Sequence, residues 1–79
     1  MQVEITRCDS WDLSNNASIT TVKEYFEQYK AGLNTVSELV HKVEDAGFGV
    51  VSFNADSITI DAEVKVNGID LLVNFTLTL

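Results

Sequence analysis

Between Ile58 and Leu79 the chain alternates apolar and polar residues in two runs of opposite parity. This constrains the fold more than any other feature. Ile58, Ile60, Ala62, Val64 and Val66 occupy even positions; Ile69, Leu71, Val73, Phe75, Leu77 and Leu79 occupy odd ones. A period of two is the signature of a half-buried strand. Between the runs stands Asn67-Gly68, the dipeptide best suited to a two-residue type I′ turn, in which both residues need φ > 0. A two-residue loop fixes the register. Val66 then faces Ile69, Val64 faces Leu71, Ala62 faces Val73, Ile60 faces Phe75 and Ile58 faces Leu77. Every apolar residue meets an apolar partner on one face. The other face pairs Lys65 with Asp70, Asp61 with Asn74, and Thr59 with Thr76.

An apolar sheet face must be covered, and the middle of the chain supplies a helix. Ile19, Val22, Phe26, Tyr29, Leu33, Val36, Val40 and Val43 recur every three or four residues in an unbroken a/d seam. Thr21 to Glu24 fits a capping box at the start, and Gly47 fits a cap just past the end, with Phe48 placed to pack back on the last turn. Gly32 is unfavourable inside a helix, and Thr35 to Glu38 is a second capping box. Because the seam keeps its phase across Gly32, the pattern favours one long helix, kinked if anywhere near Gly32, with two helices as the alternative.

Val3 and Ile5 alternate with Glu4 and Thr6, which predicts a first strand over Gln2 to Cys8. Asp9 to Asn16 reads as a polar loop, and Phe48 to Asn54 as a further strand with a turn at Ala55-Asp56. If that turn is tight, Phe53 faces Ile58 and Val51 faces Ile60, on the apolar face. The expected fold is a single α+β domain over residues 1–79. It has two layers and the order β-α-β-β-β, with the helix on one face of a mainly antiparallel four-stranded sheet and the first strand at an edge.

Composition excludes more than it names. The chain has 79 residues, 46% of them hydrophobic, with 12 acidic against 5 basic residues for a net charge of −7. Nucleic-acid binding needs cations to replace phosphate counterions, so direct contact with nucleic acid is not expected. Nor is an anionic membrane surface. There is no apolar run long enough for a membrane-spanning helix and no signal-peptide pattern at the N-terminus. The single cysteine makes no internal disulfide. A cytoplasmic setting is the expectation.

No catalytic constellation stands out. His41 has no second histidine to complete a metal site, and it sits in the helix one position past the seam. Cys8 has no activating base beside it in sequence and reads as a small buried hydrophobe. Gly47-Phe48-Gly49 follows a helix rather than opening one, unlike a phosphate-binding loop. The expectation is a protein that is not an enzyme and needs no cofactor or metal.

What remains is surface. Asp61, Glu63 and Asp70 share the outer sheet face with Leu72, its one apolar residue. Glu24 and Glu27 lie on the helix, and Trp11 is a loop aromatic of the type that anchors interfaces. These seven are the candidate partner-binding residues. The expected function is a small acidic inhibitor, of the phage or mobile-element anti-defence type, that docks on a larger basic protein handling nucleic acid. The alternative is a homo-oligomeric assembly protein using its C-terminal strand edge or its sheet face, since the uncharged run from Leu71 to Leu79 would pair with another chain if left at an edge.

Overall fold

The computed structural model describes residues 2–30 and 35–79. Strand β1 (Gln2–Cys8) is followed by a 3-10 turn at Trp11–Leu13, helix α1 (Ala17–Glu27), a second 3-10 turn at Gln28–Lys30, helix α2 (Val36–Asp45), and strands β2 (Gly49–Phe53), β3 (Ser57–Val66) and β4 (Ile69–Thr78). All four strands form one antiparallel sheet in the order β1-β4-β3-β2, with both helices on one face. This is the expected two-layer α+β fold.

The β3–β4 hairpin has the anticipated register throughout, from Val66 opposite Ile69 to Ile58 opposite Leu77. Asn67 and Gly68 both have positive φ, 52° and 81°. The inward row Ile58, Ile60, Ala62, Val64, Val66, Leu71, Val73, Phe75 and Leu77 is buried. The exceptions are Ile69, first residue after the turn and 62% exposed, and Leu79, past the end of β4. β4 is central: β1 pairs along one side of it and β3 along the other. The C-terminal strand therefore has no free edge, and an assembly that uses that edge is not open to this fold. The free edges belong to β1 and β2.

In place of one long helix there are two. Thr35 caps the second: its backbone is extended (φ −133°, ψ 155°) and its Oγ1 accepts a hydrogen bond from the Glu38 N–H at 3.2 Å. A capping residue has non-helical dihedrals, so a working cap at Thr35 ends any helix running through it. Gly32 and Leu33, the expected kink and seam residue, lie outside the described residues. The restart also rotates the buried stripe. Leu39, which the seam omitted, is fully buried beside Val36 and Val43, while Val40 is half-buried. At the other end α1 begins earlier than Thr21. Asn16 is its cap, with Oδ1 accepting from the Ser18 N–H at 2.9 Å, and Thr21 is interior, donating its hydroxyl to the Ala17 carbonyl. Past α2, Gly47 has φ +93°. The Gly47 and Phe48 N–H groups return to the Glu44 and Val43 carbonyls, the double closure of a Schellman cap. Phe48 then stacks edge-on against Phe26 of α1, 4.9 Å between ring centres.

β2 pairs with β3 one residue out of step with expectation. Phe53 faces Ile58 as predicted, but Val50, not Val51, faces Ile60. A bulge between Val50 and Ser52 inserts Val51 as an extra residue and leaves it 53% exposed. Phe53 lies at the end of the sheet and is 68% exposed. The turn after it is built by Asn54, whose Oδ1 accepts from the N–H groups of Asp56 and Ser57 and from the Ser57 hydroxyl. A second bulge interrupts β1 between Ile5 and Arg7.

The core joins the layers through aromatic rings. Phe26 meets Phe75 at 5.4 Å and Tyr29 at 5.7 Å, and Tyr25 meets Tyr29 at 5.1 Å. Burial, with Tyr25 beside it, pushes the Tyr29 hydroxyl above the ordinary phenol range.

Three outcomes follow. Gly68→Val leaves the side chain in open space but forces a β-branched residue to φ +81°, and thermal unfolding should show a loss of about 1–2 kcal/mol. Phe75→Ala empties a fully buried site and should cost about 3–5 kcal/mol in urea unfolding, a large share of the about 5–15 kcal/mol typical of a domain. The Tyr29 proton is held more tightly in the folded state, so stability is intact below about pH 10, the ordinary tyrosine value. It falls as pH rises above that point, where the unfolded chain ionises first. Tyr29→Phe should flatten that fall in denaturation midpoints measured between pH 8 and 11; an unchanged slope would show that Tyr29 does not cause it.

Candidate outer-face binding site

The sheet face away from the helices is uncovered, and its side chains follow from the register. β4 contributes Asp70, Leu72, Asn74, Thr76 and Thr78, and β3 contributes Thr59, Asp61, Glu63 and Lys65. β1 adds Glu4, opposite Thr76, and Arg7, opposite Asn74. The β1 bulge shifts the parity of the strand, and that shift puts Arg7 on this face and Cys8 in the core. β2 adds Ser52 opposite Thr59, and Gly49 opposite Asp61.

Two rows cross the centre. In one, the hydroxyls of Thr6, Thr76 and Thr59 are linked by hydrogen bonds of 3.0 Å each, joining three strands. In the next, Arg7, Asn74, Asp61 and Gly49 stand side by side on β1, β4, β3 and β2. Asn74 is 9% exposed, and its Oδ1 is buried with no hydrogen-bond partner. A polar atom in that condition is uncommon and costly.

Four of the seven candidate residues are brought together here. Asp61 is half-buried in the second row, Glu63 is exposed opposite the half-buried Leu72, and Asp70 is exposed near the turn. Asp70 forms the single ion pair among the described residues, with Lys65 at 3.9 Å and both side chains in solvent. Glu24 and Glu27 are exposed on α1, in the other layer, and do not join this face. Trp11 is 55% exposed in the 3-10 turn that leaves β1, where the Asp9 N–H reaches the Leu72 carbonyl at 3.1 Å. The outer face is thus mixed rather than wholly acidic: Glu4, Asp61, Glu63 and Asp70 stand against Arg7 and Lys65. Strict alternation from Val3 and Ile5 turns Arg7 inward; the one signal against it is that a charge would then stand at a core position and Cys8 would face out. Asn74 was placed on the face by register, but its burial depends on neighbours from three strands.

The helix side offers two shallow apolar grooves. One, of about 360 Å³, lies between α1 and the segment that follows α2, at Thr21, Val22, Tyr25, Ala46 and Phe48. The other, of about 280 Å³, lies between α2 and the end of β2 at Val36, Val40, His41 and Phe53. His41 is exposed at its rim. Cys8 is buried, and its thiol donates to the Ser10 carbonyl at 3.1 Å. Among the described residues no group of His, Cys, Asp and Glu side chains is arranged to hold a metal ion, and no helix is long and apolar enough to cross a membrane. No protein-family model, curated protein or solved structure matches the chain.

Proposed function

We propose that this protein is a small acidic binding module, not an enzyme, that docks its outer sheet face on a basic surface of a larger protein. An inhibitor occupying the nucleic-acid groove of such a partner is the specific form this reading takes, because spaced carboxylates on a firm sheet resemble a row of phosphates in charge. The observation that supports it is the state of the carboxylates. The chain has 12 acidic residues, and among the described residues Asp70 alone has an ion-pair partner. Charge that the fold does not neutralise internally raises the local potential and steers cationic partners inward. The outer face is also a hydrogen-bonded four-stranded surface, so the backbone positions that carry its charges are held at strand spacings.

The test begins with a partner recovered from a lysate on the immobilised protein and then purified. Raising salt should slow its association, since steering is screened beyond about 8–10 Å at physiological ionic strength. Reversing both Asp61 and Glu63 to Lys should leave unfolding nearly unchanged, as solvent-facing charges contribute little to stability. It should weaken binding by more than about tenfold if both carboxylates meet cations, at about 1–3 kcal/mol per contact. Affinity indifferent to salt and to the double reversal would overturn the reading. So would a dimer, seen by light scattering, that occupies this face.

A further inference from the structure

The helix side of the molecule carries a second interaction surface, independent of the outer sheet face. We propose that the groove between α2 and the end of β2 receives an amphipathic, basic helical segment of another protein. Its apolar residues would seat on Val36, Val40 and Phe53, and its cations on Glu44 and Asp45.

The apolar half of the surface comes from exposure. Phe53, at 68%, is the most exposed large hydrophobic side chain among the described residues. It stands opposite the fully buried Ile58, yet α2 leaves it in solvent. Val36, the half-buried Val40 and His41 form the facing wall, and Asn54 and Ala55 close one end. The space is about 280 Å³. That is below the about 300–1,000 Å³ of a small-molecule site, and it suits side chains presented from a partner's surface. An exposed aromatic beside an apolar recess has the makings of an interface hot spot. A strand is not the fitting occupant. The free edge of β2 is broken by the bulge between Val50 and Ser52, so an incoming strand finds no even row of backbone partners. A helix that lays side chains into a groove needs no such row.

The charged half comes from α2. Residues four apart lie in line on a helix, so Val36, Val40 and Glu44 make one row and Ser37, His41 and Asp45 the next. The helical wall of the groove therefore runs from two valines into two exposed carboxylates. From Val36 to Glu44 it spans about 12 Å, the length of two turns of a partner helix. Glu44 and Asp45 are the last two residues of α2, and among the described residues neither has an ion-pair partner. A helix C-terminus is the negative end of the macrodipole, where carboxylates are disfavoured and cations favoured. Local rules broken in this way are expected at functional sites. The cation of that last turn, Lys42, belongs to neither row, and its Nζ stands 5.2 Å from the centre of the Tyr29 ring. At the opposite end of the groove Asp56, next after Ala55, is exposed. These acidic surroundings repel a second copy of the chain, with its charge of −7, and attract a segment that carries cations beside its apolar residues.

The experiment titrates the full chain, by amide NMR, with an alanine-based helical peptide that carries two leucines four apart and two lysines in the next turn. A lactam bridge holds the helix, since short helices are marginal in water. The peptide should shift Val36, Val40, Phe53 and Glu44. A twin with alanine for both leucines and a twin with glutamate for both lysines should each bind about tenfold or more weakly. Phe53→Ser should reduce binding by a similar factor with little change in melting temperature, because the ring is largely in solvent. Reversing Glu44 and Asp45 together to Lys should raise the melting temperature, since cations suit that helix end, and should transfer the preference to the glutamate twin. No binding, equal binding of the three peptides, or a Phe53→Ser protein that binds as the wild type does would overturn the groove. So would a dimer, seen by light scattering, that covers Phe53. Shifts confined to Asp61 and Glu63 would also overturn it and leave docking across the outer face standing. The outer-face reading fails separately, on the Asp61 and Glu63 reversal.

Discussion

The rest of the structure depends on the turn at Asn67-Gly68. Positive φ at both residues turns the chain in two residues and commits the register of ten cross-strand pairs at once. Because side chains alternate with a period of two, a slip of one residue would carry Ile58, Ile60, Val64, Val73 and Phe75 out to solvent and Asp61, Glu63 and Asn74 into the core. The turn thus decides which residues form the core and which form the outer face. β1 and β2 add themselves to a hairpin whose faces are already assigned, and the helices close the apolar side through Phe26 on Phe75.

How much of this was legible in the sequence varied with the range of the forces involved. The hairpin was readable residue by residue, because turn chemistry and alternation are local and agree with each other. The second helix start was readable as a capping box, Thr35 to Glu38, but it competed with a seam whose phase survived the break. The cap prevailed because it satisfies backbone donors outright, whereas the phase of a seam matters only if the helix is continuous. Leu39 shows the consequence: it is fully buried although it lies off the seam, since a helix that starts afresh can turn a different stripe to the sheet. The two bulges had only a weak local signal. Arg7 falls where alternation from Val3 and Ile5 calls for an apolar residue, and Val50-Val51 are consecutive apolar residues, but which residue is extra becomes visible only when the partner strand is in place.

The candidate site inherits the same division. Asp61, Glu63, Asp70 and Leu72 were placed on one face by alternation alone, and the register confirms that placement. Arg7 arrives there only through the β1 bulge, which also restores Cys8 to the core. The unpartnered Asn74 carbonyl is a tertiary property. It arises where β4 lies between β1 and β3, with Arg7 and Asp61 as the cross-strand neighbours of Asn74, and a single strand of sequence does not name those neighbours.

The bulges also bear on how the molecule can associate. A sheet offers a partner its edges or its faces. Here β4, whose uncharged run is the segment most prone to pair with another strand, is enclosed by β1 and β3. Each of the exposed edge strands is interrupted: β1 between Ile5 and Arg7, β2 between Val50 and Ser52. A bulge breaks the even row of N–H and C=O groups that an incoming strand would need and increases the local twist, which is a common protection of sheet edges. β1 adds the charges of Glu4 and Arg7, and β2 is only five residues long. Two copies meeting edge to edge would also bring together chains of −7 each, a repulsion that an irregular five-residue contact does little to offset. The open face has the opposite properties. Its threonine ladder ties three strands together, and its charges are spaced by the strands themselves. The edges are thus the less prepared of the two surfaces for meeting another molecule, which agrees with the proposed docking across the face.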